Sequence, residues 1–298
     1  MTSRETTVRR LAFWSIPLAL AVMGLKFIAW QLTGSVALFS DALESIVNVI
    51  AAMVAFVAVS YAQKPADADH PFGHHKAEYF SAVIEGVLIV LAALLIVREA
   101  VAALVSPGLI TAPVEGIAVN IFAGLINGVW AMVLIREGRA FRSPALEADG
   151  RHILTDVISS GGVIVGLVLA LWLDVPILDP ILALLVAGNV LWQGWKVIGS
   201  SVAGLMDGAV APDEEERIRQ LIAAHATGAI EAHDIKSRRA GYASFVEFHL
   251  VVDGDMTVET SHQICDRLEN VLRREVPGVK VTIHVEPGHK AKDEGVVL

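Results

Sequence analysis

The stretch ALEADGRHILTDVISSGGVIVGLVLALWL, residues 145–173, is mostly apolar and long enough to cross a bilayer, yet it carries His152 and Asp156 near its start. Residues four apart in an α-helix lie one turn above each other on one face, so this imidazole and this carboxylate can grip one divalent cation. An ionisable group inside a membrane span costs about 2.5–3.5 kcal/mol on insertion scales, which makes a functional role its default reading. The competing reading is structural: His152 belongs to a polar patch near the interface and Asp156 pairs with a basic residue.

The composition supplies the setting. Of 298 residues 54% are hydrophobic and 18% charged, mean hydropathy is +0.59, and the apolar residues come in long blocks. That is the signature of a polytopic membrane protein. The formal charge of −9 gives no argument for nucleic acid as a partner, and residues 208–298 hold 16 Asp and Glu against 11 Lys and Arg, so part of the excess sits in one polar tail. A single cysteine, Cys265, excludes an intrachain disulfide and a cysteine-cluster zinc site, leaving His, Asp and Glu for any metal chemistry. The ten histidines are grouped: three at 70, 74 and 75, one at 152, and six after 224.

Six blocks reach spanning length, at about 9–32, 35–63, 77–104, 114–136, 145–173 and 178–202. Breaks fall at Thr33-Gly34, Lys64 to Lys76, Ser106-Pro107-Gly108, the Arg-rich 136–144, and Asp174-Val175-Pro176. Arg4, Arg9 and Arg10 precede the first block as in a signal peptide, but no convincing cleavage site follows, so the block reads as a retained helix. Lys64, Lys76, Arg136, Arg139 and Arg142 lie on the same alternate connections as these arginines, with Arg98 blurring the contrast slightly. The positive-inside rule then puts both termini in the cytoplasm, in keeping with an even number of spans in a cytoplasmic (inner) membrane.

Within the second block Asp41, Glu44 and Asn48 project from nearly one stripe, since steps of three and seven return close to the starting direction. Facing His152 and Asp156 across a bundle, they would form a site of oxygen donors plus one nitrogen. Lys26 and Glu85 are further intramembrane ionisables that either pair with each other or line a water-filled path. In the loop Asp67-Ala-Asp-His-Pro-Phe-Gly-His-His-Lys76, Asp67, His70 and His74 can converge on one ion. Gly116, Gly124 and Gly128 in the fourth block and Ser159, Ser160, Gly161, Gly162 and Gly166 in the fifth would let helices approach closely.

After Asp207 the pattern becomes that of a soluble α+β module in the order αββαβ, ferredoxin-like. Pro212 and the acids 213–216 open a helix. Strands at 229–239 and 243–252 flank a turn at Ala240-Gly241. A helix at 257–274 turns Val258, Cys265, Leu268 and Leu272 to its apolar side, and a last strand covers 279–286. Alternation puts Val246, Phe248, Leu250, Val252, Val281, Ile283 and Val285 on the core and leaves His249, His284 and Glu286 facing outward, where a second chain could meet them. His233 and His262 complete the cluster.

These residues resemble the cation diffusion facilitator family, membrane antiporters that export divalent transition metals in exchange for protons. The likeness spans nearly the whole chain: six spans, the His-Pro-Phe-Gly-His-His-Lys-Ala-Glu loop, His152-Ile-Leu-Thr-Asp156 with Ser159-Ser160 after it, and a compact cytoplasmic domain. The resemblance implies a transport site of Glu44, Asn48, His152 and Asp156 and a loop site of Asp67, His70 and His74. It further implies a binuclear site of His233, His249, His262, His284 and Glu286 at the interface of a homodimer, with Lys76 and Asp207 as a charge interlock between protomers. Asn48 departs from the pattern, standing where many zinc members place Asp; Asp41 partly compensates.

The resulting expectation is a six-helix α-helical membrane domain at 1–207, a cytoplasmic metal-binding and dimerisation domain at 208–290, and a C-terminal tail at 291–298. It would be no enzyme but a secondary transporter in the lipid bilayer, exporting divalent cations against protons. Zinc leads as substrate and regulatory ligand, with manganese, iron, cobalt, nickel or cadmium as alternatives. The absence of a Gly-x-x-x-x-Gly-Lys-Ser/Thr loop argues against nucleotide as the energy source. A membrane-tethered metal sensor and an intramembrane metalloenzyme are the rival readings, the latter weakened by the lack of a His-Glu-x-x-His helix.

Overall fold

The computed structural model describes residues 3–33, 36–105, 114–173, 178–292 and 296–297. The chain separates into two compact units, Met1–Val202 and Ala203–Leu298. Six long helices build the first: α1 (Ser3–Thr33), α2 (Val36–Ala62), α3 (Ala77–Val105), α4 (Val114–Ala140), α5 (Pro144–Leu173) and α6 (Leu178–Leu205), the last ending just inside the second unit. Among the described residues, Arg4–Gln31, Ser45–Ala62, Ala77–Ala102 and Ala118–Ala140 are helical stretches long and apolar enough to cross a membrane. The expected breaks at Ser106-Pro107-Gly108 and Asp174-Val175-Pro176 lie outside the described residues, as does Gly34.

The bundle is inverted relative to a water-soluble one. Val57, Leu91, Leu125, Val129, Trp192 and Trp195 face outward, whereas Lys26, Asn48, Glu85, Asp149, His152 and Asp156 are buried. Only a hydrocarbon surround makes that arrangement favourable, because water would penalise the outer shell and lipid would penalise the inner groups.

The expected break at 136–144 is shorter than the arginines suggested. α4 runs on to Ala140, since Arg136, Glu137 and Arg139 are good helix formers, and a tight turn with Arg142 at φ 52° leads into α5. That turn is pinned from two sides: Arg4 donates to the Phe141 carbonyl through Nε (3.0 Å) and Nη2 (2.6 Å), and the Ser143 hydroxyl donates to Glu78 at the start of α3.

Small residues do bring helices together, but Gly124, Gly128 and Gly161, among those singled out from the sequence, are not the closest contacts. Gly124 and Gly161 have nothing within 4 Å of a would-be Cβ, and Gly128 meets only Val157 Cγ1 at 3.9 Å. At Gly150 the position is 2.9 Å from the Ile135 backbone nitrogen and 2.9 Å from Leu134 Cβ, and at Gly138 it is 2.7 Å from the Glu147 nitrogen, so α4 and α5 touch backbone to backbone. Gly86 on α3 and Gly194 on α6 make a similar crossing, each 3.2–3.3 Å from the other's carbonyl oxygen. Spacing reveals a small residue but not which helix it faces.

The second unit contains α7 (Pro212–His225), β1 (Glu231–Ala240), β2 (Ala243–Val252), α8 (Val258–Glu275), β3 (Val279–Pro287), a 3-10 turn (Gly288–Lys290) and β4 (Val296–Val297). The sheet order is β3-β2-β1-β4, with β1 antiparallel to β2 and β4, and β2 parallel to β3. Ile218 and Ile222 of α7 and Ile264, Cys265, Leu268 and Leu272 of α8 pack on Val246, Phe248, Leu250 and Val252 of β2, and burial pushes the Cys265 thiol up from its ordinary pKa. Two residues assigned to the core are instead exposed: Val258, at the first position of α8 just after the Thr257 cap, and Val285, on the outer strand. Residues 291–298, expected as a bare tail, supply β4.

Gly150→Ala should lower the thermal midpoint of the detergent-solubilised protein, because a methyl there meets backbone that cannot yield, at a cost of about 1–3 kcal/mol. Gly161→Ala, with open space around it, should leave the midpoint unchanged or raise it through helix propensity worth about 1 kcal/mol. Equal responses of the two variants would refute the close contact at Gly150.

Candidate metal centres

Three helices meet at Asp156. Its Oδ2 accepts from Lys26 Nζ of α1 at 3.1 Å and from Asn48 Nδ2 of α2 at 3.1 Å, and the carboxylate is only 8% exposed. One turn earlier on α5, His152 is 5% exposed and neither ring nitrogen has a hydrogen-bond partner among the described residues. A buried imidazole with both nitrogens unsatisfied is rare unless a ligand completes it. Glu44, one turn before Asn48, and Asp41 stand on α2, but their side chains lie outside the described residues.

Lys26 and Glu85 do not pair with each other. α1 packs on α2, α4 and α5 while α3 packs on α2 and α5, so Lys26 reaches Asp156, and Glu85 accepts from the Ser81 hydroxyl at 2.8 Å. Asp149, fully buried on α5 and electrostatically coupled to Glu85, was missed by the sequence reading. Its spacing from His152 and Asp156, three and seven residues, is a signal that was there to be used.

Between α2 and α3 the loop folds around Asp67. Its Oδ1 accepts from the backbone N–H groups of Asp69 (3.1 Å) and His70 (2.7 Å), and chiefly the His70 bond holds its carboxyl below the usual carboxylate range. His70 Nδ1 lies 3.4 Å from Oδ1 and His74 Nε2 lies 3.3 Å from Oδ2. His74 Nδ1 is 3.2 Å from the Pro65 carbonyl oxygen, which can only accept. Nδ1 therefore donates to Pro65, and Nε2 is the nitrogen turned toward the carboxylate, where a proton or a metal cation can lie between them. Donor atoms of Asp67, His70 and His74 all lie within 4.8 Å of one another.

The sheet builds a third cluster by register. His233 of β1 is paired with His249 of β2, which is paired with His284 of β3, so three imidazoles line up across neighbouring strands; ring centroids are 5.3 and 4.9 Å apart. Glu286, two residues after His284 and so on the same face, places Oε2 3.2 Å from His233 Nε2 and 3.5 Å from His249 Nδ1. The Glu231 carboxylate accepts from His233 Nδ1 at 2.7 Å. The Nε2 contact with Glu286 lacks hydrogen-bonding geometry, and this set of nitrogen and carboxylate donors fits a divalent metal.

Of the five residues expected in this cluster, His233, His249 and Glu286 converge. His284 stands beside them, its Nε2 3.8 Å from Glu286 Oε1. His262 does not join within this chain: it lies on α8, 71% exposed, 3.7 Å from Asp266. His233 is buried, and the C-terminal segment folds back onto its strand neighbours. The Lys292 backbone N–H donates to Glu231, and Lys292 Nζ donates to Asp234 at 2.7 Å. A bulge between His233 and Lys236, with Asp234 at φ 50°, turns Asp234 toward this lysine. The ammonium holds the Asp234 carboxyl below its usual range, and Asp234 in turn raises Lys292. Glu231, two residues before His233 on one strand face, was legible from alternation; Asp234 and Lys292 depend on a bulge and a fold-back that no periodicity marks. Asp207, expected in an interlock with Lys76, accepts from Arg238 at 2.9 Å in this chain.

Residues 12–206 match the cation efflux transmembrane domain and residues 210–288 the cytoplasmic domain of cation efflux proteins. The uncharacterized transporter sll1263 of Synechocystis sp. is 43% identical over 287 residues, covering 96% of this chain and 92% of its own. The cation-efflux pump FieF of Pectobacterium atrosepticum is 30% identical over 285 residues, covering 96% and 94%. A solved structure of CzrB in its zinc form is 50% identical over 28% of this chain and 96% of its own, with a TM-score of 0.28.

Lys292→Ala should release the C-terminal fold-back: amide exchange in residues 288–297 accelerates while the global melting midpoint stays put, since an exposed pair is screened by solvent. With Asp234 depressed, the clip's contribution is present above the ordinary carboxylate range and is lost as pH falls through the depressed value. With Lys292 raised, it survives on the alkaline side until pH passes that raised value. Unaltered exchange in the variant would dispose of the clip.

Proposed function

Because the chain belongs to the cation diffusion facilitator family, we propose that it exports a divalent metal cation from the cytoplasm in exchange for protons, with zinc the leading substrate and manganese, iron, cobalt, nickel and cadmium as alternatives. The observation that carries this reading is the buried His152, with both nitrogens unsatisfied among the described residues, one turn from the buried carboxylate of Asp156. Asn48 and Glu44 of α2 complete the donor set, with Asp41 contributing charge on the same stripe. Metal ligands must be deprotonated to bind, so occupancy by metal and by protons is mutually exclusive and one gradient can drive the other. An imidazole, with an ordinary pKa of about 6.5, exchanges protons in the physiological range.

In this reading all six helices of residues 1–207 cross the inner membrane, with both termini cytoplasmic and the site alternately open to either side. Residues 208–290 form a ferredoxin-like cytoplasmic domain through which two copies of the chain associate, and 291–298 form the tail. Asp67, His70 and His74 bind a second ion at the loop. His233, His249, His284 and Glu286, with His262, bind regulatory metal whose preference for the associated form shifts the equilibrium toward it. Four protein ligands filling one cation's shell favour carriage over catalysis, which needs an open coordination position.

Reconstituted in liposomes, the protein should move Zn²⁺ under an imposed pH gradient, and Asp156→Ala or His152→Ala should reduce flux at least about a hundredfold, as loss of a ligand does. Flux that survives Asp156→Ala unchanged would refute the membrane site. In the Asp156→Ala background, calorimetry should still register Zn²⁺ uptake, and His249→Ala should remove part of it; uptake indifferent to His249 would remove the regulatory site while leaving transport untouched.

A further inference from the structure

Lys26 sits in an apolar run of α1 and is 2% exposed, yet it ends on the same Asp156 oxygen that receives the Asn48 amide. A lysine buried this deeply within a membrane bundle is held there by a carboxylate, since an ammonium without a counter-charge would be expelled to the interface. The carboxylate it has found is a central group of the proposed transport site, not a bystander. Sharing Asp156 Oδ2 between a divalent cation and an ammonium is costly. A metal bound to a carboxylate sits about 2.0–2.2 Å from its oxygen, and an ammonium 3.1 Å from that same oxygen would leave one positive charge beside two others in a medium that screens poorly.

Resting on the carrier reading above, we propose that Lys26 is a tethered resident cation that occupies Asp156 when the metal has left and must be displaced for metal to bind. The group acts by moving on and off its counter-ion. The flexible four-carbon stem of lysine suits that role, because it lets a point charge withdraw by a few ångströms without moving the helix. Two consequences follow from the chemistry. Metal affinity at the membrane site is lower than the donors alone would give, because each binding event must break the Lys26–Asp156 pair. Release is correspondingly faster, because the ammonium returns to the carboxylate as the metal departs and the buried site is not left bare while it reorients. Lys26 is thus a positioning residue whose signature is opposite in binding and in turnover.

The test uses the full-length protein in liposomes with Zn²⁺ as the probe, comparing wild type with Lys26→Gln, Lys26→Met and Lys26→Arg. Lys26→Gln keeps a hydrogen-bond donor for Asp156 without the charge, which guards against a bare buried carboxylate destabilising Lys26→Met. Loss of the charge should tighten Zn²⁺ binding about tenfold or more, lower KM and lower kcat, while Lys26→Arg should stay within about threefold of wild type in all three, as a retained charge predicts. If folded Lys26→Gln binds Zn²⁺ as weakly as wild type or more weakly, or if its KM rises, displacement is wrong and the pair is structural. The carrier reading falls separately: Asp156→Ala that leaves both binding and flux intact overturns it, whereas Asp156→Ala that abolishes flux beside an unaltered Lys26→Gln overturns only the resident cation.

Discussion

A carboxylate that is to stay ionised in a helix bundle within hydrocarbon needs a cation, and Asp156 has one at contact distance. Removing its charge from water is expensive, and the attraction that offsets the cost depends on a partner at contact distance. α1 and α2 both answer it, with an ammonium and an amide on a single oxygen. The inversion of the bundle, with Trp192 and Trp195 outside and Lys26 and His152 inside, follows from enclosing that group. The glycine contacts of α4 with α5 and of α3 with α6 are what allow the surrounding helices to close around it.

The same physical theme recurs outside the membrane by different structural means. In the loop an aspartate captured by two backbone N–H groups is set against an imidazole whose hydrogen is drawn to Pro65. In the sheet, Glu231 draws the His233 hydrogen and leaves its other nitrogen facing Glu286. In each case one ring nitrogen is engaged by a second acceptor and the other points at a carboxylate. Strand register, helix spacing and a tight loop each arrive at a set of nitrogen and carboxylate donors.

Much of this was legible in the order of residues, for identifiable reasons. Helix spacing put His152 beside Asp156, and strand alternation put His284 and Glu286 on one face, because these periods are properties of the backbone and hold wherever the element forms. The convergence of Asp67, His70 and His74 was anticipated from the density of ligand-type residues in one loop. What could not be read depends on which elements are neighbours. Lys26 had two acidic helices to choose from, and only the packing of α1 away from α3 assigns it to Asp156 rather than Glu85. Gly150 and Gly86 outrank Gly124 and Gly161 for the same reason. The roles of Asp234 and Lys292 needed a bulge and a chain reversal beyond Pro287, where periodicity carries no information.

The two-residue strand at Val296–Val297 lies along the outer side of β1, and its position bears on the exposed border of the sheet. Exposed strand edges offer a row of unmatched amides and carbonyls to any other extended chain, which is how sheets from separate molecules fuse into aggregates. By laying its own terminus there the chain spends part of that hazard on itself. The opposite border, β3, instead carries Lys280, His284 and Glu286, charged and titratable groups that discourage indiscriminate edge-to-edge growth while leaving that border open to a partner able to match them.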